Sequence, residues 1–175
     1  MKRVFGLLFV LMIAMVVGCG SGSSYSKSLD DYAGAVQPIE NKLDKLYERM
    51  NDDFDEVYAG IAAALNSSSQ AEKAQALARA QSFSDEMYTE WDALLRQFVK
   101  ITPPGELMQF HELYQEGFQL NHRAFFGMSS QIRTLATTGR LDEKMASSIS
   151  DDMLAADRKF SMAAAEWAKV QTRYK

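Results

Sequence analysis

From Leu29 onward, apolar residues recur every three or four positions, and no segment alternates apolar and polar residues in the manner of a strand. The first series is Leu29, Tyr32, Val36, Ile39, Leu43, Leu46, Met50, Phe54, Val57, Ile61 and Ala64. It predicts a helix from about Leu29 to Leu65, with an additional step of four between Met50 and Phe54 that marks a stutter. Ser28, with Asp31 three residues on, reads as its start. Pro38 falls inside it and predicts either a kink or a later start near Gln37.

Asn66-Ser67-Ser68-Ser69 interrupts the pattern. Ser69 followed by Glu72 is a capping box and predicts the start of a second helix there. Its stripe is Leu77, Ala80, Ser84, Met87, Trp91, Leu94, Phe98 and Ile101. Thr102-Pro103-Pro104-Gly105-Glu106 ends that helix and opens a third, since proline is tolerated in a first turn whose N–H groups have no helical partner. The third stripe is Leu107, Phe110, Tyr114, Phe118, Asn121, Phe125, Met128, Ile132 and Leu135, and Gly139 is placed to end it as a left-handed cap. A fourth begins near Leu141 or Asp142 and carries Met145, Ile149, Met153, Ala156, Phe160, Ala163, Trp167, Val170 and Tyr174.

Helices of about 32 to 37 residues span roughly 50 to 55 Å. Short connections between them force antiparallel neighbours, so the expected fold is all-α, an up-down-up-down antiparallel four-helix bundle over residues 28–175. A long helical hairpin that dimerises is the alternative architecture.

The N-terminus follows a different pattern. Lys2 and Arg3 precede an unbroken apolar run from Val4 to Val17, and Gly18 then precedes Cys19, the only cysteine in the chain. The run is about 14 residues, short of the roughly 20 that a spanning helix needs. Val16-Val17-Gly18-Cys19 resembles the lipobox of bacterial lipoproteins. That resemblance covers residues 1–19. It implies that residues 1–18 are a signal peptide, that Cys19 is lipidated, and that the mature protein is anchored on the extracytoplasmic face of a bacterial membrane. In a Gram-negative host, with Gly20 following the cysteine, that membrane would be the outer one, facing the periplasm. In a Gram-positive host it would be the outer face of the cell membrane. Two or more acyl chains hold a protein stably where one does not. Residues 19–27 then read as the lipidated cysteine and a Gly/Ser-rich flexible tether.

Removing 18 of the 175 residues would leave 157, enough for one domain with a real core. It would take two of the 19 basic residues and leave 17 against 23 acidic ones. Such an acidic domain lacks the basic footprint that nucleic acid demands. With the one thiol lipidated, disulfides, thiolate metal sites and cysteine nucleophiles drop out.

In a bundle of this order the C-terminus and the Pro103-Pro104 turn return to the tethered end. Lys100, Lys169, Arg173 and Lys175 fall there, positioned to meet anionic headgroups. Basic residues near helix C-termini are also favoured by the macrodipole alone, and that reading is preferred.

Candidate chemistry is sparse. His111 and His122 lie within about 20° of one helix face but about 16.5 Å apart along the axis, too far to share a metal. Neither carries the Glu-x-x-His pattern of di-iron bundles. His111-Glu112 continues Leu-Tyr-Gln, so the zinc pattern His-Glu-x-x-His fails at its last position. His111, Glu112 and His122, with Tyr114 and Glu116 nearby, are nevertheless the candidates for a small-ligand or metal site. Placed at the edge of the stripe, the histidines read first as hydrogen-bonded boundary residues. The acidic run Asp52, Asp53, Asp55 and Glu56 lacks the glycine of a calcium loop and reads as a solvated helix face. The seven methionines downstream of Cys19 read as core filler, Met108 lying beside a seam and the other six, Met162 included, along the helical seams.

No catalytic constellation, cofactor motif or phosphate loop is present. The expectation is a non-enzymatic binding or structural module of the cell envelope, held to the membrane through Cys19 and engaging an envelope protein. The Pro103-Pro104 turn followed by His111 resembles small uncharacterised all-helical lipoproteins over helices two to four, a resemblance that carries no activity.

Overall fold

The computed structural model describes residues 24–173. Cys19, Lys175, Tyr174 and the apolar N-terminal run lie outside the described residues. Those described form four antiparallel helices, α1 (Ser24–Asn66), α2 (Gln70–Phe98), α3 (Met108–Thr138) and α4 (Glu143–Arg173), with one 3-10 turn, Gly105–Leu107, leading into α3. The chain is an all-α, up-down-up-down four-helix bundle. No helix among the described residues is long and apolar enough to cross a membrane.

The punctuation acts as the sequence predicts, with one variation. Ser69 Oγ accepts from the Glu72 backbone N–H at 3.3 Å. The return arm of the capping box goes elsewhere: Ser67 Oγ donates to the Glu72 carboxylate at 2.5 Å and accepts from the Ser69 N–H at 2.9 Å. Gly139 takes φ 67° and donates its N–H to Leu135 C=O at 2.9 Å, closing α3. Asp142 Oδ1 accepts from the N–H groups of Lys144 and Met145, which opens α4.

Helix α1 departs from expectation at two points. It begins at Ser24, four residues before Ser28, so the expected tether is helical from Ser24 onward. No residue between Ser24 and Ser28 breaks a helix; the first breaker met upstream is Gly22. It also runs through Pro38 without a new start. The carbonyl that Pro38 leaves without its helical donor belongs to Gly34, and both residues are exposed, so water can take that hydrogen bond.

The core follows the stripes. All nine α3 stripe positions are buried, as are Trp91, Phe98, Phe160 and Trp167. A chain of aromatic rings runs through it: Phe110, Tyr114, Phe118 and Phe160 meet at centroid distances of 5.1–5.8 Å. Each fully buried large apolar side chain contributes about 1.5–3 kcal/mol. Met162 is half exposed and is no part of the core. It lies two residues from Phe160, on the outer side of α4.

α3 and α4 are the most closely packed pair. A Cβ on Gly117 would stand 2.7 Å from the Phe160 ring, and one on Gly127 would stand 2.8 Å from Ile149. The two glycines let α4 sink onto α3.

Candidate functional site

The sequence candidates are not brought together. His111 is buried in the core rather than at its boundary. Its Nδ1 is hydrogen-bonded to the Tyr32 hydroxyl at 2.9 Å, across 79 residues of chain. Its ring stacks on Phe98 at 4.4 Å. Burial pushes the imidazole below its ordinary range, with Glu112 opposing, which keeps it neutral. Glu112 is exposed. His122 sits on the outer α2–α3 face, with Nε2 3.2 Å from Asp92 and its ring 4.7 Å from Tyr88. Tyr114 is buried among aromatics, and Glu116 pairs with Lys159 of α4. No group of three or more metal-ligating side chains forms among the described residues. At the other sequence candidates, Lys100 is exposed, Lys169 pairs with Glu166 at 2.5 Å and Arg173 lies in the last turn of α4.

A surface cavity of about 370 Å³ lies between α1 and α2. Its floor is Leu46, Ala93 and Leu94, and its rim carries Lys42, Lys45 and Arg49 beside Glu90 and Gln97. Two of its three cations are already engaged: Arg49 by Glu86 and Glu90, and Lys42 by Gln97.

The notable surface is the seam between α1 and α4. Three seams of the bundle are stitched by ion pairs. Arg49 and Arg79 reach Glu86, Glu90 and Glu56 between α1 and α2. Arg133 reaches Asp85 between α2 and α3, where Asp85 also accepts from Ser129 at 2.6 Å and Gln81 at 2.8 Å. Arg123 reaches Asp152 between α3 and α4, with Nε to Oδ2 at 2.6 Å, and Lys159 reaches Glu116. Between α1 and α4 there is no ion pair among the described residues. Nor do their Cα atoms approach within 8 Å anywhere, although the two helices are neighbours in the bundle order.

Helix geometry shows what lines this seam. On α1, Lys42, Arg49 and Glu56 face α2. At 100° per residue, Glu40, Tyr47, Phe54, Tyr58 and Leu65 lie about 140–180° round from that stripe, beyond the core and toward α4. On α4, Asp152 and Lys159 face α3, and Met153 and Asp157 lie about 100–140° round, toward α1. The proximity of the two sides is felt electrostatically: burial raises the Tyr47 phenol, and Asp157 raises it further from across the seam. Asn121 of α3 donates to the Tyr47 hydroxyl at 3.1 Å from below.

The charges on the seam are all of one sign. Glu40 and Asp44 are the α1 acids nearest the seam, and Glu48 continues their one-per-turn ladder onto the outer face of α1, a spacing at which like charges destabilise a helix by a few tenths of a kcal/mol per pair. Glu40 is buried, its Oε1 accepts no hydrogen bond, and burial plus Asp44 push it up to about 7. Partial burial, with Glu48 second, raises Asp44, and partial burial alone raises Asp157. Toward the α1–α2 turn the seam becomes apolar: Tyr58 is 45% exposed and Leu65 41%.

No family model matches the chain, and neither a curated protein nor a solved structure shows detectable similarity to it.

Proposed function

We propose that this protein is a lipid-anchored, extracytoplasmic helical module of the bacterial cell envelope, and that its work is to hold a partner protein rather than to catalyse a reaction. The observation that carries the binding reading is the α1–α4 seam, where Tyr58 and Leu65 are exposed on α1 and Glu40, Asp44 and Asp157 form no ion pair among the described residues. The anchor rests on the lipobox-like Val16-Val17-Gly18-Cys19. A tether there places the bundle within a short chain length of the membrane and leaves its long faces free to engage a neighbour.

Two experiments test the two halves. Cys19→Ala should abolish incorporation of labelled fatty acid and leave the longer precursor; persistent labelling refutes the anchor. A photo-crosslinking residue at Tyr58 or at Leu65 should trap one stoichiometric envelope protein in living cells. The same residue at Arg96 on α2, whose side chain is 75% exposed, should not. Equal trapping from all three positions, or none from any, refutes the seam as the binding surface.

A further inference from the structure

We infer that the cavity between α1 and α2 is a binding site for a small amphiphilic anion, a carboxylate carried on a compact apolar body. The site stands apart from the α1–α4 seam and from the partner proposed for it. Its shape follows from one short side chain. Lys42 reaches Gln97 at 3.2 Å, and Arg49 reaches Glu90 at 2.8 Å and Glu86 at 3.0 Å. These bridges cross from α1 to α2 at positions about 10.5 Å apart along α1. Between them α2 presents Ala93, whose methyl does not fill the space, and a cavity of about 370 Å³ is left. Small-molecule sites run from roughly 300 to 1,000 Å³.

The lining has two characters. Leu46, Ala93 and Leu94 are apolar, and the methylene stems of Lys42, Lys45 and Arg49 carry that character up the walls. The heads of the same three side chains are cationic, against the single carboxylate of Glu90. Arg49 takes that carboxylate and Glu86 besides. Its buried Nε–H has no acceptor. Lys42 meets only the neutral amide of Gln97, and Lys45 forms no ion pair among the described residues. Glu48 and Asp44, set about 60° and 100° further round α1 than Lys45, are no part of the lining. Unpaired lysines are ordinary on a protein surface. Here two of them share one cavity with an apolar floor, in a chain whose net charge is −4.

Dimensions and charge together select the ligand. A cation would meet three like charges. A neutral apolar molecule would leave both ammonium groups as they are. An acidic helix or strand does not fit between bridges about 10.5 Å apart, and a long acyl chain would overrun them. A compact carboxylate lays its apolar body over Leu46 and Leu94 and gives Lys42 and Lys45 a charged acceptor.

The test uses phenylbutyrate as the probe, with phenylbutanol as its neutral twin and phenylbutylamine as its cationic one. The full chain, in nanodiscs of zwitterionic lipid, carries isotope-labelled alanine and leucine methyls for NMR. Phenylbutyrate should shift the Leu46, Ala93 and Leu94 methyls saturably and leave the Leu154 methyls on α4 unmoved. The alcohol should bind at least tenfold more weakly, and the amine should not bind. Lys42→Gln with Lys45→Gln should weaken phenylbutyrate about tenfold, while Lys144→Gln on α4 leaves it unchanged. Ala93→Leu should abolish binding by filling the cavity, and leucine is nearly as good a helix former as alanine. If that variant disturbs the fold, the lysine pair, both exposed, still decides. Equal binding of acid and alcohol overturns the inference. So does indifference to the lysine pair, and so does the absence of any saturable shift at Ala93 with millimolar probe.

Discussion

Replacing Glu40 with glutamine should make the protein more stable, and by an amount that depends on pH. Glu40 lies 8% exposed between Tyr32 and Tyr114, close enough that its charge raises both phenols. In the folded chain it protonates near 7 rather than near 4.5, first because burial removes water from the carboxylate and second because Asp44 repels its charge. A carboxyl raised by folding binds its proton more tightly in the native state than in the unfolded chain. Its contribution is therefore most favourable below about pH 4.5, declines as pH rises toward 7, and is flat above that. At about 1.4 kcal/mol per pKa unit, the decline amounts to roughly 3 kcal/mol, a large part of the 5–15 kcal/mol typical of a domain. Glutamine keeps the shape and cannot ionise. The variant should match the parent near pH 4.5 and exceed it by roughly 3 kcal/mol at pH 8, a rise of about 6–12 °C in Tm for a chain of this size. Asp157 pulls in the same direction and Asp85, held low by its hydrogen bonds, in the opposite one, and both cancel when variant and parent are compared at one pH, while the coupling to Asp44 is already counted in the Glu40 shift. Urea denaturation of both proteins from pH 4.5 to 8 decides it. An increment that does not change with pH, or one under about 0.5 kcal/mol at pH 8, refutes the reasoning.

Other substitutions probe the remaining structure. Gly117→Ala should destabilise by about 1–3 kcal/mol in chemical denaturation, because its Cβ would stand 2.7 Å from the Phe160 ring. An alanine tolerated without loss would show that α3 and α4 are not held at that separation. Arg123→Ala strands Asp152, whose side chain is 11% exposed, and should cost about 1–3 kcal/mol in urea denaturation. Gly139→Ala should cost about 1–2 kcal/mol at its left-handed φ of 67°, measured by thermal melting, with no change in helical circular dichroism.

Much of the fold was legible because local chemistry and tertiary packing agree. Three-and-four periodicity located every helix, and the caps at Ser69 and Gly139 sit where side-chain acceptors and a residue free of Cβ are needed. The start of α1 at Ser24 was missed because Ser28 and Asp31 make a valid cap that the chain does not use. Local signals rank candidate starts but do not exclude a longer helix. Pro38 misled for a related reason: its penalty depends on whether Gly34 faces core or water, which becomes known only in the bundle. The burial of His111 depended on a hydroxyl 79 residues away, beyond any periodicity argument. The seam was less legible still. The ladder Glu40, Asp44 and Glu48 was in view, but its meaning depends on which helix faces it and on the cations that helix lacks.

The wide α1–α4 spacing follows from what happens on the opposite side of α4. A helix in a four-helix bundle has two neighbours and divides its contact between them. α3 offers α4 two glycines, Gly117 and Gly127, ten residues apart and so on nearly the same face, where Phe160 and Ile149 settle against bare backbone. Arg123 and Lys159 then fasten that contact with ion pairs. α1 offers no equivalent, because Glu40, Tyr47, Phe54 and Tyr58 project where small residues would permit approach. The result is an asymmetric bundle in which α4 packs closely on α3 and stands further from α1. Close packing on one seam and wider spacing on the next are therefore two consequences of one distribution of small and large residues, and Glu40 and Asp157 lie on the wider one.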